Sequence, residues 1–269
     1  MPAMQLVTAT GTAINTTLAA LAAVTGDSLA VPNFDLSKRA WLLQMWADVQ
    51  AAGTVRVRSP KFHDNVNGIR IDTVASDAKP LLPWGVPQRL YPNDNITVEL
   101  AGSATAGDIE MVSLLMAFED LPGIAGRFIS FEELMRRQDQ LLTAENTIAT
   151  GTAGGYSGAE AINAEIDQFQ HGVDYAILGY KVDAECAAIA YRAPDFGNLR
   201  IGGPGDETDF DLYSNWFVRL TRDYGMPLIP VFNGQNKSSV LIDAAQDENG
   251  ADVTVTTYLA RLGPATAAR

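Results

Sequence analysis

The stretch Arg58-Ser59-Pro60-Lys61-Phe62 returns 134 residues later as Arg192-Ala193-Pro194-Asp195-Phe196. Working outward at that offset without a gap, Ala40-Trp41-Leu42-Leu43-Gln44-Met45-Trp46 falls on Asp174-Tyr175-Ala176-Ile177-Leu178-Gly179-Tyr180, and Thr54-Val55-Arg56-Val57 on Ala188-Ile189-Ala190-Tyr191. Further on, Pro80-Leu81-Leu82-Pro83 answers Pro227-Leu228-Ile229-Pro230 at an offset of 147. The segments before them, Ile69-Arg70-Ile71-Asp72 and Trp216-Phe217-Val218-Arg219, match in kind. Ile96-Thr97-Val98-Glu99-Leu100-Ala101 runs against Val240-Leu241-Ile242-Asp243-Ala244-Ala245 at an offset of 144, which also carries Asp108-Ile109-Glu110-Met111 onto Asp252-Val253-Thr254-Val255. Short matches arise by chance. Blocks in one order, with offsets that change only where loops absorb them, mark an internal repeat. A simpler echo, Ala9-Thr10-Gly11-Thr12-Ala13 and Ala149-Thr150-Gly151-Thr152-Ala153, precedes each copy.

Inside each copy the apolar period is two. Val55 and Val57 alternate with Arg56 and Arg58, Ile96, Val98 and Leu100 with Thr97 and Glu99, and Val253 and Val255 with Thr254 and Thr256. Such alternation puts one side of a strand in a core and the other in water. Turn-forming clusters punctuate the runs at Pro92-Asn93-Asp94-Asn95, Gly202-Gly203-Pro204-Gly205 and Asp247-Glu248-Asn249-Gly250. Many short strands with such breaks predict a mainly β protein of two tandem jelly-roll or β-sandwich domains. The first occupies residues 36–125 and the second 174–269, with an insertion around Gly202–Asp211 in the second. Residues 126–173 read as a helical linker. Phe131–Leu142 forms one helix, with Ser130 as N-cap and Glu133 completing a capping box, and Ala159–Phe169 forms another, with Ile162, Ile166 and Phe169 on one stripe. Residues 1–35 read as an N-terminal arm, in which Leu18–Val24 is a short helix or packed segment.

The chain has 269 residues, 19 basic and 32 acidic, for a net charge of −13. That excess of acid repels phosphate backbones, so direct nucleic-acid binding is not expected. No apolar run reaches the roughly 20 residues a membrane-spanning helix needs, and the start lacks the basic region of a secretory signal. Peripheral contact with lipid stays open. The single cysteine, Cys186, rules out an intrachain disulfide and reads as a small core residue at the start of a strand. Two histidines, His63 and His171, are too few for the metal motifs of bicupins, the enzymes this duplicated β layout most invites. His63 is not kept in the second copy, where Gly197 stands, and His171 fits the end of the second helix.

The acidic run Asp206-Glu207-Thr208-Asp209-Phe210-Asp211 could offer oxygens to Ca²⁺, but it lacks the spacing and closing glutamate of an EF-hand, so a solvated loop is the default reading. Gly202–Gly205 lacks the Lys-Ser/Thr of a phosphate loop. Trp41, Trp46, Trp84, Trp216, Tyr175 and Tyr180 read as core or interface anchors. No catalytic residue, cofactor or metal ligand is assigned.

Over residues 40–262 this layout resembles the double jelly-roll major capsid proteins of tailless, often membrane-containing bacterial viruses. The resemblance implies a viral structural protein that forms homotrimers of pseudo-hexagonal outline, because two barrels per subunit give six per trimer. It implies as partners other capsid subunits and, peripherally, an internal membrane, and as location the virion, assembled in the host cytoplasm. Two other classes stay open: a carbohydrate- or receptor-binding spike or tail component, which needs exposed aromatics, and an enzyme on a duplicated β scaffold, which needs a cavity with converging polar groups.

Overall fold

The computed structural model describes residues 2–12, 17–61, 66–75, 78–102, 107–149, 151–246 and 252–263. The front half folds into β1 (Ala3–Thr12), β2 (Ala19–Ala20), β3 (Ala22–Ala23), β4 (Ala40–Asp48), β5 (Thr54–Arg58), β6 (Ile69–Asp72), β7 (Gln88–Leu90), β8 (Thr97–Ala101) and β9 (Ile109–Phe118). Next come β10 (Phe128–Ile129), α1 (Phe131–Arg137), β11 (Gln138–Ile148), β12 (Gly155–Tyr156) and β13 (Glu160–Ala161). The rest comprises β14 (Asp174–Val182), β15 (Cys186–Arg192), β16 (Arg200–Gly205), α2 (Phe210–Tyr213), α3 (Trp216–Tyr224), β17 (Ile229–Asn233), a 3₁₀ turn, β18 (Leu241–Gln246) and β19 (Val253–Leu262).

The strands form four antiparallel sheets. Sheet I runs β3-β1-β9-β4-β7 and sheet II β2-β8-β5-β6. Sheet III runs β12-β18-β15-β16, with β13 also on β18, and sheet IV runs β10-β17-β14-β19-β11. The two sandwiches share one jelly-roll strand order: β1, β9, β4 and β7 correspond to β11, β19, β14 and β17, and β8, β5 and β6 to β18, β15 and β16. Register agrees at the residue level. Arg56 faces Glu99 as Ala190 faces Asp243, and Ala40 faces Leu90 as Asp174 faces Asn233. Each sandwich has an irregularity where its central strand meets the last one, at Leu42/Gln44 and at Ile177/Gly179. Alternation does the local work: Val55 and Val57 are buried while Thr54, Arg56 and Arg58 are only partly covered.

The sheets stack in the order II, I, III, IV. Val7, Val55, Val57, Val98, Leu100 and Leu114 fill the space between II and I. Met4, Leu6, Leu43, Trp46, Met111 and Leu115, on the other face of sheet I, join the same core as the interior of the second sandwich. That contact runs from β1, β4 and β9 to β15 and β16.

Several sequence expectations are corrected. The N-terminal segment expected as an arm holds β1, a ten-residue strand paired along its length with β9. Its alternation is hidden because both faces are covered, Val7 by the first core and Met4 and Leu6 by the second. Leu18–Val24 carries β2 and β3 rather than a helix. The first linker helix stops at Arg137, and Gln138 onward is β11, with Ala144, Asn146 and Ile148 buried at period two. Its N-cap stands, with Ser130 Oγ accepting from the Glu133 N–H at 3.1 Å.

The second linker helix is absent. Glu160–Ala161 is a strand, and Ile166 is 59% exposed, so the supposed stripe is not one face. His171 therefore ends no helix and lies in an exposed turn, while His63 falls outside the described residues.

In the repeat, Ile69–Asp72 is strand β6 but Trp216–Arg219 lies in α3, and the true counterpart of β6 is β16. The Pro-Leu blocks are also out of step, since 80–83 precede β7 while β17 starts at Ile229. Thr12 and Ile148 both face the first residue of the last strand, so the Ala-Thr-Gly-Thr-Ala echo is out of register too. Gly202–Gly205 is the body of β16, and the inserted chain, α2 and α3, follows it. A Cβ at Gly203 would sit 2.5 Å from the Trp216 indole, so this glycine permits close packing rather than a turn.

Candidate functional site: the seam and the free faces of the stack

Apolar and polar ties cross from the first sandwich to the second. Trp46 is fully buried, and its indole N–H donates to the Ala187 carbonyl at 2.7 Å. Its ring meets Trp216 edge-on at 6.0 Å, and Trp216 meets Trp84 at 5.5 Å. The Tyr224 hydroxyl donates to the Leu43 carbonyl at 2.6 Å, and that of Tyr213 to the Ala78 carbonyl at 3.3 Å. The expected aromatic anchors Trp46, Trp216, Tyr175 and Tyr180 are thus buried, while Trp41 and Trp84 are partly covered. Cys186 is buried, as its strand position implied.

The polar part of the seam is a cluster around Arg200 on β16. Its Nη1 lies 2.7 Å from Asp27 Oδ1, its Nε 3.9 Å from Asp243 Oδ2, and its guanidinium 4.0 Å from the centre of the Tyr156 ring. The other Asp27 oxygen accepts the Thr8 N–H at 2.8 Å. Tyr156, Thr8 and Ser113 join hydroxyls at 2.9 Å each. Burial pushes the Asp27 carboxyl above its ordinary 3.8, against the Thr8 and Arg200 contacts that pull it down. Burial likewise raises Asp243, against Arg200 and Arg192, and raises the Tyr156 phenol. A cavity of about 520 Å³ opens beside the cluster, lined by Tyr156, Arg192, Arg200 and Asp243 among others. Among the described residues, Asp243 is the one carboxylate that lines it.

The two ends of the stack differ. On sheet II, Glu99 accepts from Arg56 at 2.5 Å and from Arg58 at 3.0 Å, and Arg70 stands opposite Arg56. Burial raises the Glu99 carboxyl, but the bonds from Arg56 and Arg58 outweigh it and hold the group below its ordinary 4.5. On sheet IV a groove of about 800 Å³ lies between α1, α2, α3 and the strands β11, β14 and β19. Phe131, Met135, Leu141, Leu178, Val218 and Tyr258 line it, with Met135 and Leu141 each 62% exposed.

In the acidic run, Lys79 Nζ lies 3.8 Å from both Asp206 and Asp209, and Asp206 Oδ1 accepts from the Thr208 N–H and hydroxyl. An internal ammonium thus stands among the oxygens that were candidates for Ca²⁺. Among the described residues, no group of three or more His, Cys, Asp or Glu side chains is placed to hold a metal ion. No described helix is long and apolar enough to cross a membrane.

Sequence reasoning missed the seam cluster because Asp27, Tyr156, Arg200 and Asp243 are far apart in the chain. One signal was available: β15 reads Cys186-Ala187-Ala188-Ile189-Ala190-Tyr191-Arg192 and lacks the polar alternation of β5, as a strand covered on both faces does.

No family model matches the chain, and no curated protein matches it. Among solved structures, the PBSX exported protein XepA aligns at TM-score 0.30 and 8% identity, covering 96% of this chain and 86% of that one. The STIV MCP aligns at TM-score 0.24 and 10% identity, covering 98% and 97%. The major capsid protein P2 from bacteriophage PM2 aligns at TM-score 0.22 and 9% identity, covering 98% and 99%. Likenesses this slight carry no argument about what this chain does.

Proposed function

We propose that the chain is a non-enzymatic structural subunit of a virion shell, which assembles as a homotrimer and tiles through its two jelly rolls. One observation carries the reading: two sandwiches of the same strand order already pack face on face within the chain, sheet I on sheet III. Among the described residues, that contact leaves sheet II at one end of the stack and the grooved face of sheet IV at the other. If sheet IV of one copy meets sheet II of the next, the contact is head-to-tail, and such contacts close into rings when the rotation permits. Three copies give a ring of six sandwiches.

Jelly rolls serve shells, lectins and enzymes alike, so the reading rests on these faces rather than on the fold. The main aromatic side chains are sunk in the core, which leaves little platform for a sugar. The net charge of −13 favours partners that are other shell subunits or, peripherally, a membrane, over the genome.

Sedimentation velocity with electron microscopy tests the proposal. Trimers or plates are expected, and Met135→Arg with Leu141→Arg, both at exposed positions, should leave a folded monomer. A wild-type chain that stays monomeric at high concentration overturns it.

A further inference from the structure

The seam cluster carries more charge than it neutralises. Asp27 and Asp243 each expose 4% of their side chains, and between them lies one guanidinium, that of Arg200. Asp27 is fully engaged: one oxygen takes Arg200 and the other takes the Thr8 N–H. Asp243 is not. Its contact with Arg200 is 3.9 Å, too long for a hydrogen bond, and among the described residues the buried Arg200 Nε has no hydrogen-bond partner. Among the described residues, the other titratable groups acting on the pair are the Tyr156 phenol, whose hydroxyl is held by Thr8, and Arg192, partly exposed at the cavity rim. A buried carboxylate without a close partner is costly to keep ionised.

We propose that Asp27, Arg200 and Asp243 form an acid-tightened latch between the two sandwiches: in mild acid the trio takes up one proton from solvent, on Asp243, while Asp27 keeps Arg200. The buried charge of the trio then falls from −1 to zero, and the β1–β16 seam closes over a neutral group.

The sign follows from the geometry. A carboxyl more easily protonated in the folded chain than in the unfolded one stabilises the fold as pH drops toward its ordinary 3.8, and the benefit is lost as pH rises. Burial raises both carboxyls, but Asp27 has the two close bonds that reward its charge.

The latch belongs to the single chain and does not depend on assembly, so it is tested on monomer and oligomer alike. Asp243→Asn mimics the protonated state. Its melting temperature should exceed that of wild type at pH 7.5, and the excess should shrink toward zero as pH approaches 4. Asp27→Ala, which removes both acceptor oxygens and leaves Arg200 and the Thr8 N–H without them, should melt below wild type throughout. Carboxyl-carbon NMR reads the group directly, and Asp243 should titrate above 3.8. An Asp243→Asn protein that melts lower than wild type at pH 7.5, or whose gain is the same at every pH, overturns the proposal. So does an Asp243 carboxyl that titrates at or below its ordinary value.

Discussion

Glu99 on β8 and Asp243 on β18 occupy equivalent places in the two sandwiches, opposite Arg56 and Ala190 respectively. Continuing across each sheet, the first row reads Glu99, Arg56, Arg70 and the second Asp243, Ala190, Gly202. The first row lies on the outer sheet of the stack, where Arg56 and Arg58 close over Glu99 and keep their own charged ends partly in water. The second faces another sandwich and is cut down to nearly bare backbone around one acid. Two arginines hydrogen-bond Glu99, whereas Asp243 has Arg200 at 3.9 Å, beyond hydrogen-bond reach, and Arg192 acting without a close contact. The same strand order thus becomes a solvated face or a contact face according to three residues in one row.

Exchanging residues within that row is the harshest test. A Cβ at Gly202 would lie 1.8 Å from the Ile189 carbonyl oxygen, which is backbone and cannot move aside. Gly202→Arg, which installs the residue found at the equivalent place in the first sandwich, should exceed the roughly 1–3 kcal/mol typical of overpacking and yield insoluble or unfolded protein. The reverse change, Arg70→Gly on the solvated face, should cost about 1 kcal/mol or less in chemical denaturation. Equal losses from both would mean that the two faces are not differently constrained.

Trp46 and Tyr180 are likewise equivalent, 134 residues apart, and both give a polar hydrogen to a backbone carbonyl. Tyr180 reaches Pro204 within its own sandwich, while Trp46 reaches across the seam to Ala187. Trp46→Ala should therefore cost about 3–5 kcal/mol and loosen one sandwich from the other, read as a lower denaturation midpoint or a second transition. A cost below about 1 kcal/mol would mean that the sandwiches stand independently.

The repeat was legible where a strand keeps one wet face. The 134-residue offset through β4, β5, β14 and β15 coincides with equivalent strands, because inward Val55 and Val57 match inward Ile189 and Tyr191. It failed where tertiary contact covers both faces or where local pattern misleads. β1 lost its alternation to the seam, the glycines of β16 read as a turn, and Phe131–Leu142 passed for one helix although its last residues pair with β19. The seam cluster was invisible for the same reason. Asp27 comes from a loop after β3, and Tyr156, Arg200 and Asp243 from three strands of the other half, with no spacing rule to join them.

The mildest test turns on pH. Because Arg56 and Arg58 hold the folded Glu99 carboxyl below its ordinary 4.5, its contribution is fully present above that value. The contribution is lost as pH falls through the lowered folded value. Glu99→Gln should cost about 1–2 kcal/mol at pH 7, as expected for charge-assisted hydrogen bonds at a nearly buried group. The two proteins should converge in stronger acid, where wild-type Glu99 is itself protonated. Denaturation midpoints followed from pH 7 to 3 should thus show a deficit that closes for Glu99→Gln, against an excess that closes for Asp243→Asn. Curves of the same sign at the two positions would mean that exposure of the row, rather than its number of arginines, governs both acids.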